Sequence, residues 1–447
     1  MLATGGRRAF LILSLILALT VTAGAQLPPV GGVPSPPAIS PPLLPGIGGA
    51  SLPVIVQVSP GANIASIAST LNATVIDSIP GTNIYLLNVP IGPLLNPGTL
   101  QSLGTALSGI DWVDLNTGVT LPSFAVYGIV TVPPTAAADW YKYQPAWHLI
   151  EAQQALPYST GRGIVIADIN SQVDFSHPAL RGHLTSGYDF VATRPAGSAV
   201  LNQSEAGFLD QSEAGFLDQS EAGFLDQSEA GFLDTTGLLV NPAYSHGTLC
   251  DGVLAAISPD SMIMALRAFD DLGQSDLFTI TKAIRYAVQH GAQVINMSFG
   301  VRFSSNSLRS AIQYAQQNNV LLAASAGNRN TSAPQYPAAQ SGVMATAATD
   351  LLDKKAAFSN YGPYIFVDAP GVNIISAYPG GLYGIVSGTS FSAPAVAATA
   401  ALVRSLRATG VANSIAAGAV NIDSNNPSYD NQLGYGRIDV LHSVHPN

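Results

Sequence analysis

The stretch Ser387-Gly388-Thr389-Ser390-Phe391-Ser392-Ala393-Pro394 sets hydroxyls among small residues and runs directly into an apolar series of helix formers, residues 395–403. A serine at the head of a helix lies among free N–H groups at the positive end of the helix dipole, so negative charge developing nearby is favoured. Small neighbours let another backbone come close. Pro394 is tolerated in a first turn, where its missing N–H leaves no bond unmade. The plainer alternative is a hydroxyl-rich cap on a buried helix. His246 opens a second apolar helix, followed by Gly247 and Thr248. An imidazole there could act as general base toward a serine hydroxyl at a cleft edge. A serine and an imidazole so placed point to nucleophilic attack on a carbonyl, chemistry that also needs a donor for the oxyanion.

Gly388-Thr389-Ser390-x-Ser392-x-Pro394 resembles the serine motif of subtilisin-like serine peptidases. Ser245-His246-Gly247-Thr248 resembles the histidine motif of that family, and Ala326-Gly327-Asn328 the segment that supplies a side-chain oxyanion donor. The order acid, histidine, serine is also the family's. The resemblance implies Ser390 as nucleophile, His246 as base and Asn328 as oxyanion donor, with the backbone N–H of Ser390 as second donor. It implies substrate contacts from Ser298, Phe299 and Gly300, from Ala324, Ser325, Ala326 and Gly327, and from an edge strand at Leu272, Gly273 and Gln274. A pocket with small uncharged walls should take a large apolar side chain before the cut bond, and no acid is placed to select Lys or Arg. No cofactor is expected, and no metal: the helix after His246 runs straight on, so the loop that carries calcium in many relatives is missing.

The acid departs from the family pattern. Counting back without gaps from His177-Pro178 sets Asp174 at a later acid, Ser171 at a Ser/Thr position and Asn170 where the family has its catalytic Asp. A two-residue insertion would instead bring Asp168 into the triad. Residues 168 and 170 face the same side of a strand, roughly 6.6 Å apart. The ungapped register makes Asn170 the neighbour of His246, with Asp168 behind it and able to compensate through a shifted imidazole or a water. An amide can hold an imidazole but cannot neutralise an imidazolium, so the alternative to an enzyme is a catalytically impaired peptide-binding protein that keeps the cleft. Asp251, five residues after His246, either faces this site or is solvated. Cys250, the one cysteine, forms no internal disulfide and reads as a small buried thiol.

Composition sets the frame. Of 447 residues, 47% are hydrophobic and 10% charged, which suits packed domains and excludes a disordered chain; a net charge of −10 excludes a nucleic-acid binder. Residues 1–25 read as an export signal: Arg7 and Arg8, then a largely apolar run of 13 residues, too short to span a bilayer, then Ala23-Gly24-Ala25. This implies a secreted or cell-envelope protein without a stable membrane span. Residues 26–53 form a Pro/Gly-rich linker. Residues 54–115 alternate as βαββαβ, with helices at 62–71 and 99–107, and resemble the family's inhibitory prodomain, an intramolecular partner whose tail fills the cleft until cut. Residues 116–138 are a polar connector.

Residues 139–447 alternate apolar strands (164–169, 262–268, 293–298, 320–324, 343–347) with helices (277–290, 306–318). That is an α/β domain, a parallel sheet covered by helices on both faces. Between the acid and histidine motifs, Gln-Ser-Glu-Ala-Gly-Phe-Leu-Asp repeats four times over residues 203–234 and carries eight of the acidic residues. Its position predicts a surface loop, either a neutral expansion or a binding element with four Phe-Leu pairs. Deleting residues 211–234 should leave folding and peptide cleavage unchanged; loss of either, by circular dichroism or turnover, would make the repeat a working element.

Overall fold

The computed structural model describes residues 51–90, 108–132, 136–192 and 242–446. The expected signal segment, most of the linker, the helix at 99–107 and the octapeptide repeat lie outside them.

The first unit pairs β1 (Ser51–Val58) with β3 (Ile84–Pro90) and β4 (Ile110–Leu115), and β2 (Thr74–Ser78) with β3, all antiparallel, in the order β2-β3-β1-β4. Helix α1 (Ile64–Thr70) is capped by Asn63, whose side chain accepts from the Ala65 and Ser66 N–H groups. Strand alternation explains both faces. Val54, Val56 and Val58 turn inward to Ile67, Leu87 and Ile110. Ile55, Ile79 and Ile84 turn outward into the core of the larger domain. Asp114 Oδ2 accepts from the Ser307 backbone N–H (2.6 Å), at the start of a helix of that domain, and Asp77 pairs with Lys282 (2.7 Å).

The larger domain is built on a seven-stranded parallel sheet, β14-β13-β12-β11-β7-β9-β8. Its strands are β7 (Val165–Asn170), β8 (Tyr188–Asp189), β9 (Met262–Arg267), β11 (Val294–Met297), β12 (Leu321–Ser325), β13 (Met344–Thr349) and β14 (Val367–Pro370). The expected parallel sheet is therefore present; its five expected strands lie within a few residues of their reading, and β8 and β14 join it as strands the sequence reading lacks. Helices α2 (His246–Ile257) and α5 (Thr389–Leu406) cover one face; α3 (Leu277–Gln289) and α4 (Asn306–Gln317) cover the other. Along β7, Ile166 faces α2 and α5 while Ala167 and Ile169 face the opposite core. Period-2 alternation then sends Asp168 and Asn170 toward α2 and α5.

The segment expected as an irregular connector forms two strands. β5 (Gly118–Thr120) pairs antiparallel with β10 (Gln274–Asp276), and β6 (Ala125–Val130) with β16 (Leu382–Ser387), which also pairs with β15 (Ile374–Tyr378). Its prolines stand at 122, 133 and 134 in the sequence, outside both strands, so none has to replace a donor in the ladders.

Two glycines let α2 dock. A Cβ on Gly247 would lie 2.4 Å from the Gln172 carbonyl oxygen, and one on Gly252 2.3 Å from Ser376 Oγ and 2.7 Å from the Ala377 nitrogen. Gly252→Ala should therefore lower stability by about 1–3 kcal/mol, read as a lower denaturant midpoint at unchanged slope in the Ser390→Ala background; an unchanged midpoint would show that α2 can back away from β15.

Candidate active site

The parallel sheet ends its central strands where α2 and α5 begin, the edge at which such sheets present binding groups. Gly388 precedes α5, Thr389 is its first residue and Ser390 lies in its first turn. Ser390 Oγ makes one long contact, donating to the Ser298 carbonyl at 3.4 Å, while the Ser390 carbonyl accepts from Ser298 Oγ (2.9 Å) and Cys250 Sγ (3.4 Å). His246, first residue of α2, is buried between Phe124 (ring centroids 5.1 Å) and Phe391 (5.8 Å). Its Nε2 has no hydrogen-bond partner among the described residues.

Its Nδ1 is held by Asn170, at 2.6 Å from Oδ1. Asp168 does not touch the imidazole. It accepts from Asn170 Nδ2 at Oδ2 (2.9 Å) and from Asn296 Nδ2 at Oδ1 (2.7 Å). The neighbour of the imidazole is therefore Asn170, with Asp168 one hydrogen bond behind it. Asp251, left open by the sequence, is fully buried, and the Asp168 charge acts on it. Among the described residues no hydrogen-bond donor reaches either of its oxygens. Burial, then the Asp168 charge, pushes the Asp251 carboxyl far above the usual range; burial lifts Asp168 to about 6 against the amide hydrogen bonds it accepts. Cys250 is buried beside His246, its Sγ 3.8 Å from Nδ1, and burial raises its thiol strongly.

Asn328, on the turn after β12, directs Oδ1 to the Thr389 N–H (2.9 Å) and Oγ1 (2.8 Å), which fixes the amide and aims Nδ2 outward. Nδ2 donates to the Ser123 carbonyl at 2.9 Å. Gly327 before it has φ +104°, and a Cβ there would lie 2.5 Å from Gln335 Oε1 and 2.6 Å from Asn360 Nδ2, so only glycine fits this turn. Upstream of Ser123, Thr120 pairs with Gln274, and the Leu121 N–H donates to the Gly273 carbonyl (2.9 Å). Of the expected edge strand, Gly273 and Gln274 pair with a backbone, whereas Leu272 lies exposed in the preceding turn. Ser298, Phe299, Ala324, Ser325 and Ala326 are buried, and Gln335 packs against Gly300. Beyond these uncharged walls, a cavity of about 610 Å³ is lined by Arg302, Phe303, Arg329 and Tyr336 among others. No ion pair among the described residues reaches either arginine.

The sequence reading missed Ser123, Phe124 and the placement of Asp251. None carries a local signature: Ser123 and Phe124 sit in a Pro-containing turn, and Asp251 has meaning only once α2 lies on β7. Among the described residues one trio of potential metal ligands, Glu151, Asp439 and His442, comes together; Asp439 caps the helix Val440–Val444 there.

A hydroxyl at a helix start, an imidazole with an amide-held Nδ1 and a carboxamide donor meet at one groove, and that arrangement is suited to acyl transfer. The profile of the subtilase family (peptidase S8) matches residues 161–436. The chain belongs to this family of subtilisin-like serine peptidases. It is 32% identical over 266 residues to thermitase from Thermoactinomyces vulgaris, across 57% of this chain and 80% of that one. It is 33% identical over 255 residues to a thermophilic serine proteinase from Bacillus sp. strain AK1, covering 54% of this chain and 52% of that protein. The fold is shared with fervidolysin from Fervidobacterium pennivorans, a keratinolytic enzyme related to subtilisin: TM-score 0.66 at 22% identity, over 90% of this chain and 62% of that one.

Burial lowers His246 to about 3. Its unfolded value is near 6.5, so the unfolded chain binds the extra proton between those values, and the uncut protein loses stability as pH falls through that window. In the Ser390→Ala protein the His246 ring should remain neutral at pH 5 by NMR, and Phe124→Gly, which uncovers it, should raise its titration; an imidazolium at pH 5 with Phe124 in place would contradict the buried environment.

Proposed function

We propose that the chain is a secreted subtilisin-like serine endopeptidase, made as a precursor that its own N-terminal unit inhibits. Ser390 Oγ attacks the carbonyl carbon of the peptide, and His246 Nε2 accepts its proton. The Asn328 Nδ2–H and the Ser390 N–H hold the oxyanion. His246 then protonates the leaving amine, and water hydrolyses the acyl-enzyme by the same route in reverse.

One observation carries this reading. Residues 118–124 lie as a substrate would, with Gly118–Thr120 on the edge strand and the Ser123 carbonyl on Asn328 Nδ2. Phe124 continues past the imidazole into β6. The bond Ser123–Phe124 is then the first one cut, and residues 54–115 act as inhibitory prodomain, seated on α3 and α4. Arg302 and Arg329 disfavour Lys or Arg before the cut bond and favour neutral or acidic side chains. Residues 1–25 direct export; no helix of the described residues is long and apolar enough to cross a membrane. The family membership supports a peptidase, and the separate reading as an impaired peptide binder draws on Asn170 alone.

A fluorophosphonate should label Ser390. Mass spectrometry of the secreted protein should find Phe124 as a new N-terminus, absent from Ser390→Ala, and Asn328→Ala should slow turnover by about 10²–10³, the cost of losing this donor in subtilisin. Absence of both labelling and self-cleavage would leave the peptide-binding reading.

A further inference from the structure

We infer that Asp168 and Asp251 form a buried acid pair that works through Asn170 as an amide relay, Asp168 being the positioning residue that sets the tautomer of His246. This rests on the peptidase reading for its kinetic consequences, although the structural core does not.

Asn170 sits between a fixed acceptor and a fixed donor. Its Nδ2 faces the Asp168 carboxylate at 2.9 Å, and its Oδ1 receives the Ser171 backbone N–H at 2.9 Å. Turning the amide over would set its carbonyl against a carboxylate and its NH₂ against an N–H, losing both bonds and adding two repulsions. The orientation is thus decided without reference to the imidazole. Oδ1 can only accept, so at 2.6 Å His246 Nδ1 must be the protonated nitrogen, leaving the Nε2 lone pair for a serine hydroxyl. An unsupported asparagine has no such preference, which is why an amide in this position ordinarily favours the wrong tautomer. The carboxylate also polarises the amide and leaves Oδ1 more negative, so an imidazolium is stabilised one residue removed from the charge. No proton travels along the relay: Asn170 keeps its amide hydrogens and His246 keeps its Nδ1 proton.

Asp251 completes the device. Asp168, Asp251, Asn170 and Asn296 are all essentially inaccessible to solvent. The titratable groups facing Asp168 are Asp251 and Cys250 from α2, with His246 beyond Asn170; β11 offers the neutral Asn296. Arg267, on neighbouring β9, is engaged by Asp189 (3.0 Å) and Asp271 (2.9 Å). With no cation bonded to it, a buried Asp168 anion needs strong donors, and a protonated Asp251 provides one beside the two amides. Burial raises both carboxyls, Asp251 the more, so Asp168 is the anion at neutral pH and gains its proton as pH falls through about 6. Activity on the acid side should then fall with two protons, one on the acid pair and one on His246, as a coupled titration.

The test uses three full-length variants: Asp168→Asn, Asp251→Asn, and the exchange Asp168→Asn with Asn170→Asp, which keeps the same side chains in the same volume. Each is compared as matured enzyme and, in the Ser390→Ala background, by nitrogen-15 NMR of His246. Asp168→Asn should lower kcat by about tenfold or more at similar KM, reduce the acid limb from two protons to one, and mix the His246 tautomers. Asp251→Asn, which still donates, should keep the Nδ1–H tautomer. The exchange should restore both that tautomer and kcat, because a carboxylate then meets Nδ1 directly. Wild-type tautomer and acid limb in Asp168→Asn would overturn the inference; should that variant not fold, an exchange variant without the Nδ1–H form would do so. The NMR comparison decides the matter even if the chain hydrolyses no peptide.

Discussion

An imidazole can take a proton from a serine through Nε2 only while Nδ1 keeps its own, and in this protein an uncharged amide oxygen is the group that accepts the hydrogen bond from Nδ1–H. That constraint organises the site. The amide could face either way by itself; two neighbours on its own chain, Asp168 and Ser171, leave it one way. Strand alternation puts Asp168 and Asn170 on one side of β7, and the parallel sheet brings α2 to that side with His246 at its head. The glycine after His246 lets the helix start touch the loop that follows β7, where any larger residue would collide with backbone.

The arrangement moves charge away from the reacting ring and into the core. A carboxylate beside the imidazole would neutralise the imidazolium directly; here the carboxylate lies one hydrogen bond further back and is itself sheltered by Asn296 and Asp251. Buried acids without cations are costly, and at Asp168 the cost is contained by the amide donors of Asn170 and Asn296. The same network reaches the serine: Asn296 Nδ2 also donates to Ser298 Oγ (3.0 Å), which donates to the Ser390 carbonyl. Acid pair, base and serine segment are therefore braced by one connected set of hydrogen bonds, so a change at Asp168 is felt at α5 as well as at His246.

Which parts the sequence made legible follows from how local each signal is. Ser390, His246 and Asn328 each sit in a short run whose residue types are dictated by immediate neighbours, and the strands of the sheet announce themselves as apolar runs. The Asn170 reading came from counting along one strand, where spacing is rigid. Asp251 could not be read, because its partner is 83 positions away and only the docking of α2 brings the two acids together. Residues 116–138 read as a connector because prolines and polar residues mask two short strands whose partners lie far along the chain. The edge strand read from Leu272 begins two residues later, at Gln274, a difference of the size expected where a turn meets a strand.

The occupied cleft gives the burial of His246 a meaning beyond stability. Phe124 closes one side of the ring, and desolvation alone accounts for the depressed basicity of the imidazole. A base that cannot easily gain a proton is a poor base, so the segment that presents a carbonyl to Asn328 also weakens the group that would attack it. Under the proposed cut after Ser123, Phe124 would no longer be tethered on its upstream side, and water would reach the ring. Desolvation would then fall, the imidazole would return toward its ordinary basicity, and Asn170 is already turned to receive Nδ1–H. On the proposed precursor reading, the Asn170 contact behind the ring is already in place while the solvent in front of it is excluded, so exposure of His246 would be the step that separates a closed state from a working site.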